Sequence, residues 1–150
     1  MRPRLESALE LVSPGDPIPD AAAFARVLRV GGRYPVHLVA EGASIHLALA
    51  IADADPDLLR SLVLVDPAPV PPAPPEGERV SVDFLGPAVV VAGAEGSADT
   101  IARCRALVAR LPGGRLLLLP GTGDGVARTD PGRLAAVILM ICVERDVPGA

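Results

Sequence analysis

Lysine, asparagine, glutamine and tryptophan are absent from this chain, and its only aromatic residues are Phe24, Tyr34 and Phe84. Three rings are too few for a base-stacking platform. All 14 cationic side chains are arginine, and 18 carboxylates outweigh them to give a net charge of −4. The arginines are scattered along the chain instead of gathered on one stretch. That acidic, dispersed balance argues against a nucleic-acid partner. Exclusive use of arginine points to a GC-rich bacterial genome, a statement about origin and not about function.

Histidine and cysteine are scarce, with two of each. Cys104 and Cys142 are far apart, without the spacing of a metal or redox motif, and Cys142 sits in the apolar run Ile138-Leu139-Met140-Ile141-Cys142-Val143. Both read as small core hydrophobes. No histidine–carboxylate spacing suggests a metal site, and no motif suggests a cofactor. No apolar run reaches the roughly 18 residues of a membrane span. The longest candidates are Ala43–Ala54 and Leu134–Val143, and the N-terminal Met1-Arg2-Pro3-Arg4-Leu5-Glu6 lacks the apolar segment of a signal peptide. The expectation is therefore a cytoplasmic protein with no membrane partner.

What is present is apolar: half of the 150 residues are hydrophobic, and the mean hydropathy is +0.42. A chain of this length reads as one domain, residues 1–150, with enough buried surface to form a core. Leu5, Ala8, Leu9 and Val12 fall at helical spacing and predict a helix over 4–12. Asp20 caps a second helix over Ala21–Val30, so residues 1–32 read as two N-terminal helices. Val36–Ala40 is a nearly continuous apolar run, the pattern of a parallel strand covered on both faces. After a sharp turn at Glu41-Gly42, the segment from Ala43 to about Ala54 is apolar almost all round and predicts a central helix.

Ser61–Asp66, Pro87–Gly93 and Arg115–Pro120 predict three further strands. Residues 67–75 contain six prolines. They cannot enter a sheet or helix interior, so 67–86 reads as a surface excursion. Ala98–Leu111 is an amphipathic helix, and Pro131 suits the first turn of a last helix running to Val143. Strands alternating with helices predict an α/β fold with a short, mostly parallel four-stranded sheet and flanking helices.

Three blocks of this pattern resemble the C-terminal half of the α/β-hydrolase fold family, over roughly Ala21–Val147. Val36–Ala50 is similar to the strand, nucleophile elbow and following helix. Arg60-Ser61-Leu62-Val63-Leu64-Val65-Asp66-Pro67-Ala68 is similar to the next strand. Pro87–Gly93 with Leu117-Leu118-Leu119-Pro120-Gly121-Thr122-Gly123-Asp124-Gly125 is similar to the last two strands and the loops that bring in the acid and the histidine.

The resemblance implies a Ser-His-Asp triad, and each position can be tested against its chemistry. The elbow motif G-x-S-x-G holds its serine clear of the sheet. Here the run Ala40-Glu41-Gly42-Ala43-Ser44 puts Gly42 at the apex. Within Gly93-Ala94-Glu95-Gly96 the acid position falls on Gly96, and the histidine position after Gly123 falls on Asp124. No nucleophile and no base remain, so the implied hydrolytic chemistry is not expected. The Ala43 N–H could supply one oxyanion donor. The proline-rich excursion stands where the family inserts a lid.

Other residues could still act. Ser44 lies two positions past the apex and reads as a packed residue. His37 and His46 read as structural. Asp66 ends its strand and is a second-best site candidate, beside Glu41, Gly42, Ala43 and Asp124 as a binding set. Glu41, Glu95, Asp99 and Asp124 should gather near the C-terminal edge of the sheet, where carboxylates can raise one another's pKa.

Two readings follow. One is a catalytically degenerate hydrolase-like protein that binds a hydrophobic small molecule or a protein partner. The other is a non-hydrolytic enzyme (a cyclase, lyase or isomerase of a hydrophobic metabolite) using Glu41, Glu95 and Asp124 as acid and base. With two helices placed before it, Val36–Ala40 would be an apolar edge strand, open to pairing with a second copy or another protein.

Overall fold

The computed structural model describes residues 9–12, 21–32, 34–68 and 82–146. Five parallel strands form one sheet in the order β1-β2-β3-β4-β5: Leu9–Val12, Val36–Glu41, Leu59–Val65, Ala88–Gly93 and Gly114–Leu119. The helices are α1 Ala21–Gly31, α2 Ile45–Ala54, α3 Ala98–Arg110, α4 Val126–Thr129 and α5 Pro131–Asp146. The α/β class and the four expected strands are all present, within a residue or two of their expected bounds.

The departure is at the start of the chain. Leu9–Val12 is a strand, where helical spacing predicted a helix over 4–12. Leu9 to Val12 pair in parallel with His37 to Ala40. The four residues Leu-Glu-Leu-Val satisfy an alternating pattern as well as a helical one, and backbone pairing with β2 decides between them. A second correction follows. Val36–Ala40 is not an edge, because β1 and β3 flank it on both sides. Among the described residues the open edges are β1 and β5. Of the proline-rich excursion over 67–86, residues 69–81 lie outside the described residues.

Strand alternation sends the buried side chains to two faces. Leu38, Ala40, Leu62, Leu64, Val90 and Ala92 face α1, α2 and α3, where they meet Ala25, Leu28, Ile51, Cys104 and Leu107. Val39, Val63, Val65, Val89 and Val91 face the other way, against Val126, Leu134, Val137 and Ile141. Double coverage is why the central strands lack polar alternation. Each fully buried leucine or valine here is worth about 1.5–3 kcal/mol relative to exposure. Helix α2 buries Ile45, Leu47, Ala48, Leu49, Ile51 and Ala52, leaving His46 and Ala50 exposed. It is central, as its uniform apolarity predicted.

Helix α3 starts where Ser97 Oγ accepts the Thr100 N–H at 3.2 Å, an N-cap that satisfies one orphan donor. At the sheet's C-terminal end, backbone meets backbone: a Cβ on Gly93 would lie 2.1 Å from the Thr122 carbonyl oxygen. Only glycine allows the end of β4 to approach the loop after β5 so closely.

Candidate functional site

The candidate site forms at the C-terminal ends of β2, β3, β4 and β5, where open parallel sheets bind ligands. Strand β2 runs into a tight turn, Gly42–Ser44, which leads directly into α2. Gly42 has φ +59°. That left-handed value is the strained backbone of a strand–turn–helix elbow, and glycine adopts it without steric cost. A Cβ built on Gly42 would have no atom within 4 Å. The elbow thus has the backbone and the open space of a nucleophile position, and no side chain in it.

The neighbours of Gly42 put no hydroxyl into that space. Ser44 is 1% exposed, and its Oγ has no hydrogen-bond partner among the described residues. It is packed beneath the turn, away from solvent. His46 is exposed and borders a dent of about 10 Å³ together with Gly42, Pro67 and Leu107. That volume holds about one water molecule. His37 lies fully inside the sheet, with Nδ1 2.6 Å from Ser61 Oγ on the adjacent strand. It is structural, as expected.

The expected acid and histidine positions are adjacent. Asp124 Oδ1 accepts the Ser97 N–H at 3.1 Å. That bond, the hydroxyls of Thr100 and Ser97, and the charge of Arg103 hold the Asp124 carboxyl below the usual range. A Cβ on Gly96 would lie 2.7 Å from Asp124 Oδ1. The Asp124 carboxylate therefore occupies the space that a side chain at position 96 would need. The two positions are coupled: a side chain at 96 would have to displace the Asp124 carboxylate. The sequence alone placed the two positions and not this exchange of space between them.

Asp66 is the least ordinary residue of the group. It ends β3 with φ +46°, the sole positive φ at a non-glycine among the described residues. Its Oδ2 accepts the Val126 N–H at 2.6 Å. Its Oδ1 is buried and has no partner among the described residues. Burial is the main cause that pushes its pKa up, and the charges of Glu41 and Asp124 add to it. Asp66 thus joins β3 to the start of α4 and senses the other two carboxylates. The charges of Glu41 and Asp124 reach Asp66; of the four carboxylates expected to gather at this edge, Glu95 and Asp99 are exposed, in the turn after β4 and in the first turn of α3.

Sequence reasoning missed Arg103. Its Nε donates to the Pro67 carbonyl at 3.1 Å and its Nη2 to Thr100 Oγ1 at 3.1 Å. It ties α3 to the chain leaving β3, where the helical pattern showed only an amphipathic helix. Cys104, one residue on, is fully buried, and burial pushes its thiol up to about 11. It is inert at neutral pH and belongs to the core, as read. No group of three or more histidine, cysteine, aspartate or glutamate side chains among the described residues is arranged to hold a metal ion. No helix among them is long and apolar enough to cross a membrane.

No protein-family profile and no curated protein sequence matches the chain. Solved structures do. A CIB-like hydrolase from Thermoplasma acidophilum superposes with a TM-score of 0.64 at 19% identity, over 82% of this chain and 58% of that one. A thermophilic esterase from Thermogutta terrifontis gives 0.66 at 14% identity, over 91% and 76%. A proline iminopeptidase from Mycobacterium smegmatis gives 0.63 at 15%, over 84% and 71%. The chain thus spans just under three fifths of the length of the first of these hydrolases and about three quarters of the other two. Sheet order, elbow geometry and these superpositions agree on one architecture, and the chain has the α/β-hydrolase fold.

Proposed function

We propose that this chain is a catalytically degenerate α/β-hydrolase-like protein that acts by binding, with a hydrophobic small molecule or a protein partner as its target. One observation carries the reading. Asp124, at the position of the catalytic histidine, is an ionised carboxylate committed to the Ser97 N–H. It cannot relay a proton to an elbow apex that is itself glycine. A Ser-His-Asp reaction needs a nucleophile, a base and an orienting acid, and all three positions lack the required groups. The test pairs two measurements. A p-nitrophenyl ester series should give no turnover above buffer, and a thermal-shift screen of apolar compounds should give saturable stabilisation. Ester turnover lost on Ser44→Ala would overturn the reading.

Asp66 favours a second reading, a non-hydrolytic enzyme on the same scaffold. A half-buried carboxyl whose pKa is raised by burial holds its proton to higher pH than an ordinary aspartate, the direction a general acid needs. In this reading Asp66 is the acid and Glu41 the base. Asp124, held ionised by its hydrogen bonds, does not serve as the acid, and exposed Glu95 takes no part. Asp66→Asn would abolish such an activity while leaving ligand binding intact.

A further inference from the structure

The face of the sheet that carries α5 has a cleft of about 150 Å³ between β4, β5 and the helix. Its walls include Val89, Leu117, Val137, Met140 and Ile141, and its single charged residue is Arg115. Strand alternation puts Arg115 on the same face as Leu117, which packs against the α5 side of the core. Arg115 is exposed and makes no hydrogen bond or ion pair with any described residue. The mouth is apolar on the helix side, where Met140 is 56% exposed.

Size and chemistry together restrict what fits. An aliphatic cavity of about 150 Å³ accommodates a benzene ring. Apolar walls offer nothing to satisfy a sugar, a polyamine or a second charge, so extra polar groups would be buried unpaired. One guanidinium at the mouth matches one carboxylate, which its fork binds through two parallel N–H donors. We propose that this cleft binds a small aromatic or branched-aliphatic monocarboxylate, with the apolar body against Leu117, Val137 and Met140 and the carboxylate on Arg115. The site lies toward the N-terminal half of β5, at the opposite end of the sheet from Gly42, and it does not rest on the reading of the elbow.

The probe is phenylacetate, with phenylacetamide as its uncharged isostere. Phenylacetate at ten times its Kd raises Tm by about 3–6 °C. Phenylacetamide binds at least about fivefold more weakly, and Arg115→Met removes that difference. Met140→Trp fills the mouth and abolishes binding of both compounds. Positions 115 and 140 are exposed, so neither change disturbs the core. In the unaltered protein, methyl NMR shifts on titration concentrate at Leu117, Val137 and Ile141, which locates the ligand without any variant. No thermal shift with phenylacetate at about 20 mM overturns the proposal. Equal affinity for the amide, or methyl shifts confined to other residues, overturns it as well.

Discussion

Replacing Asp66 separates two effects that the side chain combines. Its Oδ2 satisfies the Val126 N–H, whose residue is fully buried at the start of α4. Its carboxyl also carries a proton affinity raised by burial and by Glu41 and Asp124. Asp66→Ala orphans the Val126 N–H. A buried donor left without a partner costs about 1–3 kcal/mol, which lowers the Tm of a chain this size by about 2–12 °C. Asp66→Asn keeps an acceptor for Val126, and asparagine tolerates the left-handed backbone there. It removes only the titration.

The sign of that titration follows from linkage. A carboxyl whose folded pKa is raised binds its proton more tightly in the folded state than in the unfolded one. Its contribution to stability is full below the ordinary value of 3.8, and it is lost as pH rises through the folded pKa. The difference in urea-unfolding free energy between the native chain and Asp66→Asn, measured from pH 3 to 8, should therefore move against the native chain as pH rises. It should level off once the folded carboxyl has ionised. A difference curve that moves in favour of the native chain with rising pH would refute the reasoning. It would mean that the ionised carboxylate is held by a favourable partner and not disfavoured by burial.

Other expectations concern the elbow and its rim. Gly42→Ser meets open space, so its cost is only the left-handed backbone, about 1–2 kcal/mol; stopped assays with p-nitrophenyl esters should detect no gain of turnover. Gly96→Ala collides with the Asp124 carboxylate and should destabilise, whereas adding Asp124→Ala to it should restore part of the loss. A double-mutant cycle in urea should show a coupling of at least about 0.5 kcal/mol, and additive effects would deny the exchange of space. Leu62→Ala removes a fully buried side chain from the central strand and should cost about 2–5 kcal/mol.

Much of this molecule is legible in its letters because its central strands are covered on both faces. Unbroken runs such as Leu62-Val63-Leu64-Val65 and Val89-Val90-Val91 have few structural interpretations, and the glycines and prolines between them mark the turns. Residues 9–12 were not legible in the same way. Four residues satisfy a helical spacing and an alternating one equally, and only a neighbouring strand resolves them. The site divides along the same line. Gly42, Asp124 and Gly96 could be placed by their order along the chain. The hydrogen bond from Ser97 to Asp124, and the bond from Val126 to Asp66 across 60 residues, join loops that no local pattern relates.

The simple strand order has a consequence for how the chain is built. Each strand pairs only with the strand before it and the strand after it in sequence. The sheet can therefore be assembled in the order of synthesis, with every new unit docking on an edge already in place. No strand must wait for a distant partner to thread between two others. Among the described strands the growing edge moves from β1 toward β5, and α5 can cover its face of the sheet only after β5 has been made.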